Sequence, residues 1–344
     1  MPLTRELVRT MDGGHFALDW RYLDAGAPEM APDTPTLLVI HGLNGHSGEA
    51  YVRYSLQLGA ARGWRVVAMN HRGCGGTRLT SAYSYSAAFT GDLRLAVSHI
   101  KRRFPHSPLL AVGFSLGANL LVKYLGEEGS HGGAPVAAAA AVSCPWNIHE
   151  NPLGHHGLGG SWVTWIYSIF LTLGLQQYLH LHRDNPHLRR RKDLDILGAL
   201  RADRVSEFDA SVTVPLWGYE DLHAYQFDSS SSRVIKDVTT SLLCINAADD
   251  AICPPALWPL AESAVNPAVV FVTTAAGGHV GWCEGLNPFT GPSWADRLVN
   301  CFFDAALRCG TAAAGGGGDG GSGAAALGTT TGGQQYGTIG QARL

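Results

Sequence analysis

Residues 113–117 read Gly-Phe-Ser-Leu-Gly, between the apolar run Leu109-Leu110-Ala111-Val112 and the segment Ala118-Asn119-Leu120-Leu121-Val122-Lys123-Tyr124-Leu125. A G-x-S-x-G string between a strand and a helix seats its serine on a strained turn with the hydroxyl exposed, and the flanking glycines permit that turn. A serine hydroxyl is a weak nucleophile until a base takes its proton and a third group orients that base. Ser115 is therefore the candidate nucleophile, and the chain must supply the other two. The apolar run Leu242–Ile245 leads into Asp249-Asp250, and the run Val269–Val272 leads into Gly277-Gly278-His279. His279 is the candidate base, with Asp249 and Asp250 competing as the acid. Taken singly, each string is an ordinary turn. Together they occur in the order Ser…Asp…His, each after an expected strand, which chance rarely satisfies.

Attack on a carbonyl also creates an oxyanion, which backbone N–H groups must meet. Leu116, directly after the serine at a helix start, offers one donor. The loop after Leu37–Ile40, His41-Gly42-Leu43-Asn44-Gly45, offers the second at Leu43. His41 is expected to buttress that loop rather than to act as a base.

Positioning these groups requires a sheet. Glu6–Thr10 and His15–Trp20 flank Asp12-Gly13-Gly14, a hairpin connection. Apolar runs then follow at Thr36–Ile40, Trp64–Met69, Leu109–Val112, Val136–Val142, Leu242–Ile245 and Val269–Val272. Helical patterns at Asp92–Phe104, Leu116–Glu128 and Ser293–Ala306 alternate with them. Short runs buried on both faces and separated by helices predict an α/β fold with a mostly parallel sheet. The rhythm breaks at 146–236, expected to be a mainly helical cap inserted between a first core part, 1–145, and a second, 237–309. From 310 to 344 the chain turns to Gly, Ala, Thr and Ser, the composition of a disordered tail.

Composition narrows the partners. The net charge of −3, with charged residues at 15%, leaves no broad basic field for nucleic acid. The seven cysteines show no C-x-x-C spacing and follow no secretory leader, so they are expected to be reduced thiols of an intracellular, cytoplasmic protein. No run reaches the ~20 consecutive apolar residues of a membrane span. His155-His156 and His180-Leu181-His182 lack a Cys or acid to complete a ligand pattern, so neither a metal nor a cofactor is expected.

Several longer strings are more specific than the serine motif: Asn70-His71-Arg72-Gly73-Cys74-Gly75, Phe89-Thr90-Gly91-Asp92-Leu93, Gly113-Phe114-Ser115-Leu116-Gly117-Ala118-Asn119 and Gly277-Gly278-His279-Val280-Gly281-Trp282. With His41–Gly45 and Asp249-Asp250, they make residues 5–305 resemble one subfamily of the α/β-hydrolases. It comprises plant embryogenesis-associated hydrolases, animal lipid-acting α/β-hydrolase-domain proteins, bacterial YheT-type hydrolases and yeast ethanol acyltransferases. Phe208-Asp209 and Ser229–Ser232 resemble the plant branch. The resemblance implies an α/β-hydrolase fold, a Ser115–His279–Asp250 triad and an ester or acyl-lipid substrate. Asp250 is also followed four residues later by Pro254, as in many such enzymes. Transfer of the acyl group to an alcohol instead of water, or a silent hydrolase fold that only binds, are the alternatives.

Two cap features remain. Trp162–Leu175 places Trp162, Trp165, Ile166, Ile169, Phe170 and Leu173 on one helical face, expected to be buried in the cap, with an acyl-chain wall or shallow peripheral membrane contact as the second reading. Arg189–Lys192 reads as a solvated basic face, with attraction to anionic lipid as the alternative. His223 and Asp228 match an H-x-x-x-x-D spacing that fifteen histidines make an expected coincidence.

Overall fold

The computed structural model describes residues 2–21, 30–150, 162–284 and 291–315. Eight strands form one sheet: β1 (Thr4–Arg9), β2 (His15–Arg21), β3 (Thr36–Ile40), β4 (Arg65–Asn70), β5 (Leu109–Phe114), β6 (Ala138–Val142), β7 (Ser241–Ala247) and β8 (Val269–Thr274). Their spatial order is β1-β2-β4-β3-β5-β6-β7-β8. The expected N-terminal hairpin is the antiparallel pair β1–β2, joined antiparallel to β4, and every later pairing is parallel.

Alternation along the strands divides the core into two layers, since successive side chains point to opposite faces. On one side Leu38 and Ile40 of β3 pack with Leu93 and Val97 of α2 (Gly91–Arg103) and Tyr124 of α3 (Leu116–Gly129). On the other, Leu37 and Val39 pack with Leu56 of α1 (Ala50–Ala61) and Phe303 of α4 (Trp294–Gly315). β3 to β6 are buried along their whole length, which explains their uninterrupted apolar sequences. The edge strand β8 is only half-buried. This is the architecture of an α/β-hydrolase.

Helices fill the described part of the interval between β6 and β7. The longest is αC1 (Trp162–Leu181), followed by αC2 (Pro186–Arg190), αC3 (Ile196–Arg201), αC4 (Val205–Phe208), a π-turn (Asp209–Thr213), αC5 (Val214–Trp217) and αC6 (Leu222–Ser229). Val214 and Tyr225 of this layer pack on Leu116 and Leu120 of α3, above the carboxyl ends of the parallel strands. Asn119 fastens the return, donating to the carbonyls of Ala87 and Ser229 and accepting from the N–H of Ser231.

Two expectations need correction. In αC1 the aromatic face is outward: Trp165, Phe170 and Leu173 are 54%, 67% and 52% exposed. The buried side carries Thr164, Ser168 and Thr172 with Leu175 and Leu179. The Thr172 hydroxyl donates to the Ser168 carbonyl one turn back, so it enters the interior already paired. In addition, α4 continues to Gly315, past the expected start of the tail at Gly310, through Ala312-Ala313-Ala314, which favour helix. The remainder of the tail and His155-His156 lie outside the described residues.

Candidate active site

The turn between β5 and α3 carries Ser115 at φ 52°, ψ −120°, a left-handed conformation strained for any residue with a side chain. Its neighbours explain how that conformation persists. A Cβ on Gly113 would run into the Gly117 carbonyl, and one on Gly117 would stand 2.5 Å from the carbonyl oxygen of Ile40. Only glycine lets the elbow close onto β3 this tightly. The Ser115 N–H donates to the Val142 carbonyl at 2.9 Å, pinning the elbow to β6.

Ser115, His279 and Asp250 arrive from three strand ends and meet in one line. The Ser115 Oγ is 2.9 Å from His279 Nε2, and His279 Nδ1 is 2.8 Å from Asp250 Oδ2. With the imidazole neutral, Nδ1–H donates to the carboxylate and Nε2 accepts the serine proton. The other Asp250 oxygen accepts from the N–H groups of Ile252 and Cys253. Burial pushes the Asp250 carboxyl up, but the bonds from His279 and these N–H groups outweigh it and hold the group below its ordinary value. Asp249 lies elsewhere, accepting from the Gly278 N–H at 2.8 Å and so shaping the histidine loop.

The loop after β3 lies against the elbow. Its Gly42, Asn44 and Gly45 N–H groups are engaged by the Tyr51 hydroxyl, the Tyr85 hydroxyl and the Gly42 carbonyl. The Leu43 N–H makes none of these bonds, and Leu116 opens α3, where first-turn N–H groups have no intrahelical partner. Asn44 adopts φ 60°, which asparagine tolerates, and its amide reaches the Leu171 carbonyl of αC1 at 2.9 Å. His41 is fully enclosed: Nδ1 donates to the Gly42 carbonyl and Nε2 accepts from the His71 N–H. Burial drives the His41 pKa well down and that of His71 to about 4, so both imidazoles are neutral supports.

Several side chains that the sequence reading passed over hold this arrangement. Ser143, at φ 51° after β6, accepts from the Val280 N–H on its hydroxyl and from the Cys253 thiol on its carbonyl. Its only advance signal was a small polar residue at a parallel strand's end. Asp250, Cys253 and His279 bring ligand atoms within 4.8 Å of one another. Burial, then the nearby Asp250 charge, pushes the Cys253 pKa well up. The thiol is therefore protonated and serves as a donor to Ser143.

A cavity of about 140 Å³ opens at Ser115, similar in size to an engineered cavity that holds a benzene ring. Leu43, Leu116 and Ile148 line it near the elbow, and Leu171 and Leu175 of αC1 and Phe208 of αC4 line it from the other side. Other singled-out groups serve elsewhere. Asp228 binds Lys123 and the Tyr219 hydroxyl, and His182 contacts the Gly73 carbonyl at 2.9 Å.

The family model described as serine aminopeptidase, S33, matches residues 32–268, spanning β3 to the edge of β8. The chain belongs to the α/β-hydrolase superfamily. It is 34% identical over 312 residues to the human protein named phospholipase ABHD3, covering 89% of this chain and 72% of that protein. It is 37% identical over 300 residues to the embryogenesis-associated protein EMB8 of Picea glauca, covering 86% and 64%. Among solved structures, ferulic acid-bound Est1E from Butyrivibrio proteoclasticus superposes with a TM-score of 0.55 at 14% identity, covering 87% of this α/β-hydrolase and 98% of Est1E. That likeness concerns the fold alone.

Proposed function

We propose that this α/β-hydrolase is a serine carboxylic ester hydrolase acting on acyl-lipid or medium-chain acyl esters. The observation that carries the reading is the continuous Asp250–His279–Ser115 line ending in an apolar cavity. The relatedness to a protein named as a phospholipase supports the substrate class. In the reaction, Ser115 Oγ attacks the ester carbonyl while His279 Nε2 takes its proton. Asp250 holds the Nδ1–H tautomer and stabilises the imidazolium. The N–H groups of Leu43 and Leu116 receive the oxyanion. His279 returns the proton to the leaving alcohol, and water repeats the cycle on the acyl-enzyme.

Residues 146–236 serve as the cap in this reading, walling the acyl group with Leu171 and Leu175. Lipid reaches the cavity across the exposed side of αC1, where Trp165, Phe170 and Leu173 rest on a lipid surface. No described helix is long and apolar enough to cross a membrane, so this contact is peripheral.

The test is hydrolysis of an acyl-ester series by the wild type and Ser115→Ala. A fall in kcat of about a thousandfold or more is expected for the variant. Retention of most activity would remove Ser115 from the chemistry.

A further inference from the structure

Glycine is unfavourable inside a helix, yet Gly174 stands well within the 20-residue helix αC1. A close approach explains it. A Cβ at Gly174 would lie 2.1 Å from Asn44 Nδ2 and 2.6 Å from Asn44 Cγ. Gly174 is thus a notch that admits the Asn44 amide, which donates to the Leu171 carbonyl one turn back. Asn44 itself is held in the left-handed region, at φ 60°. The Tyr85 hydroxyl accepts from its N–H at 3.3 Å and donates to its Oδ1 at 3.4 Å. The Tyr85 ring stands edge-on to Tyr178 of αC1, with centroids 5.4 Å apart.

Asn44 directly follows Leu43, whose side chain packs against the cluster that holds Leu175 and Leu179 of αC1. Tyr51 of α1 fixes the loop at Gly42, on one side of Leu43, and Asn44 fixes it to αC1 on the other. Within αC1, consecutive residues divide the tasks: Leu171 lines the cavity, Thr172 is buried, Leu173 faces outward and Gly174 receives Asn44. One turn of helix therefore meets both the acyl cavity and the loop beside it. A backbone donor stabilises an oxyanion fully only when its direction is set before the charge develops. We propose that Asn44 is a positioning residue for the oxyanion hole: seated in the Gly174 notch, it ties the Leu43 N–H to αC1, so that the hole is complete only while αC1 is in place. The tie rests on the reading of Ser115 as nucleophile and Leu43 as oxyanion donor.

The experiment measures kcat and KM of the full chain for p-nitrophenyl octanoate, and the affinity for an octyl trifluoromethyl ketone, whose adduct with Ser115 places an oxyanion in the hole. Asn44→Gly keeps the left-handed backbone accessible and removes only the amide. It is expected to lower kcat by about ten- to a hundredfold and to weaken the ketone by a similar factor, with KM within about twofold of wild type. Gly174→Ala should reproduce both losses, because its methyl takes the place of the amide, while the helix preference of alanine keeps the Tm at or above that of wild type. The double variant should lose little more than either single one. An Asn44→Gly enzyme with kcat within about twofold of wild type, or one whose loss falls on KM with ketone affinity kept, would overturn the tie and leave the hydrolase reading intact. Should Asn44→Gly fail to fold, Gly174→Ala decides alone, and wild-type kcat in that variant would overturn the tie. If Ser115→Ala binds the ketone as tightly as wild type, the nucleophile reading falls first and takes the tie with it.

Discussion

Ser115 was legible as a candidate because it directly follows β5, and the two acids and His279 because they lie in the loops that leave β7 and β8. The choice between the acids became physical only with the loop folded. Asp250 faces the imidazole and Asp249 faces a backbone N–H. Asp250→Asn should therefore lower kcat by about 10⁴, by favouring the wrong imidazole tautomer, whereas Asp249→Asn should change it by only a few-fold. Equal losses in steady-state assays would contradict this division. Asp209 gives a stability prediction of definite sign. Its folded carboxyl titrates near 7 against an ordinary 3.8, so between those values the folded state holds a proton that the unfolded chain has lost. Stability from this group is complete below about pH 4 and declines as pH rises to about 7. Asp209→Asn removes that decline and should stabilise the protein by ~2 kcal/mol at pH 8, the full shift being discounted because the carboxyl touches the cavity. Little gain should appear at pH 4. Thermal unfolding at the two pH values checks it.

At the scale of elements, the specific strings prove to be joints. Arg72 grips Asp92 with two bonds of 2.6 and 2.7 Å and also contacts Asp12, tying the loop after β4 to α2 and the hairpin. Asp92→Asn leaves the Arg72 charge short of its buried partner and should cost about 3 kcal/mol in denaturant unfolding. Gly117→Ala should cost about as much, by forcing a methyl against the Ile40 carbonyl. An unchanged midpoint in either case would show that the joint yields. The parallel strands could be read in advance because burial on both faces demands continuous apolar runs. The rotation of αC1 was misjudged because its polar stripe, Thr164, Ser168 and Thr172, is made of small hydroxyl residues that can enter the interior once paired, as Thr172 is with the Ser168 carbonyl. That stripe took the buried side and left Trp165, Phe170 and Leu173 outside.

For the molecule as a whole, the sheet brings the loops that carry Ser115, Asp250 and His279 together at the carboxyl ends of its parallel strands, and the helices between β6 and β7 line the cavity there while leaving Trp165, Phe170 and Leu173 outward. If that face rests on lipid, replacing Trp165, Phe170 and Leu173 with serine should weaken binding to phosphatidylcholine vesicles about tenfold or more, while hydrolysis of a dissolved short ester continues. Co-sedimentation with the vesicles measures the first and a soluble-ester assay the second; unchanged binding would reassign the face. The most direct measurement is reaction of the folded protein with a fluorophosphonate, the adduct being located by peptide mass spectrometry. One adduct is expected, on Ser115, its formation strongly slowed by His279→Ala; a folded, ester-cleaving protein with Ser115 unmodified would contradict Ser115 as the nucleophile.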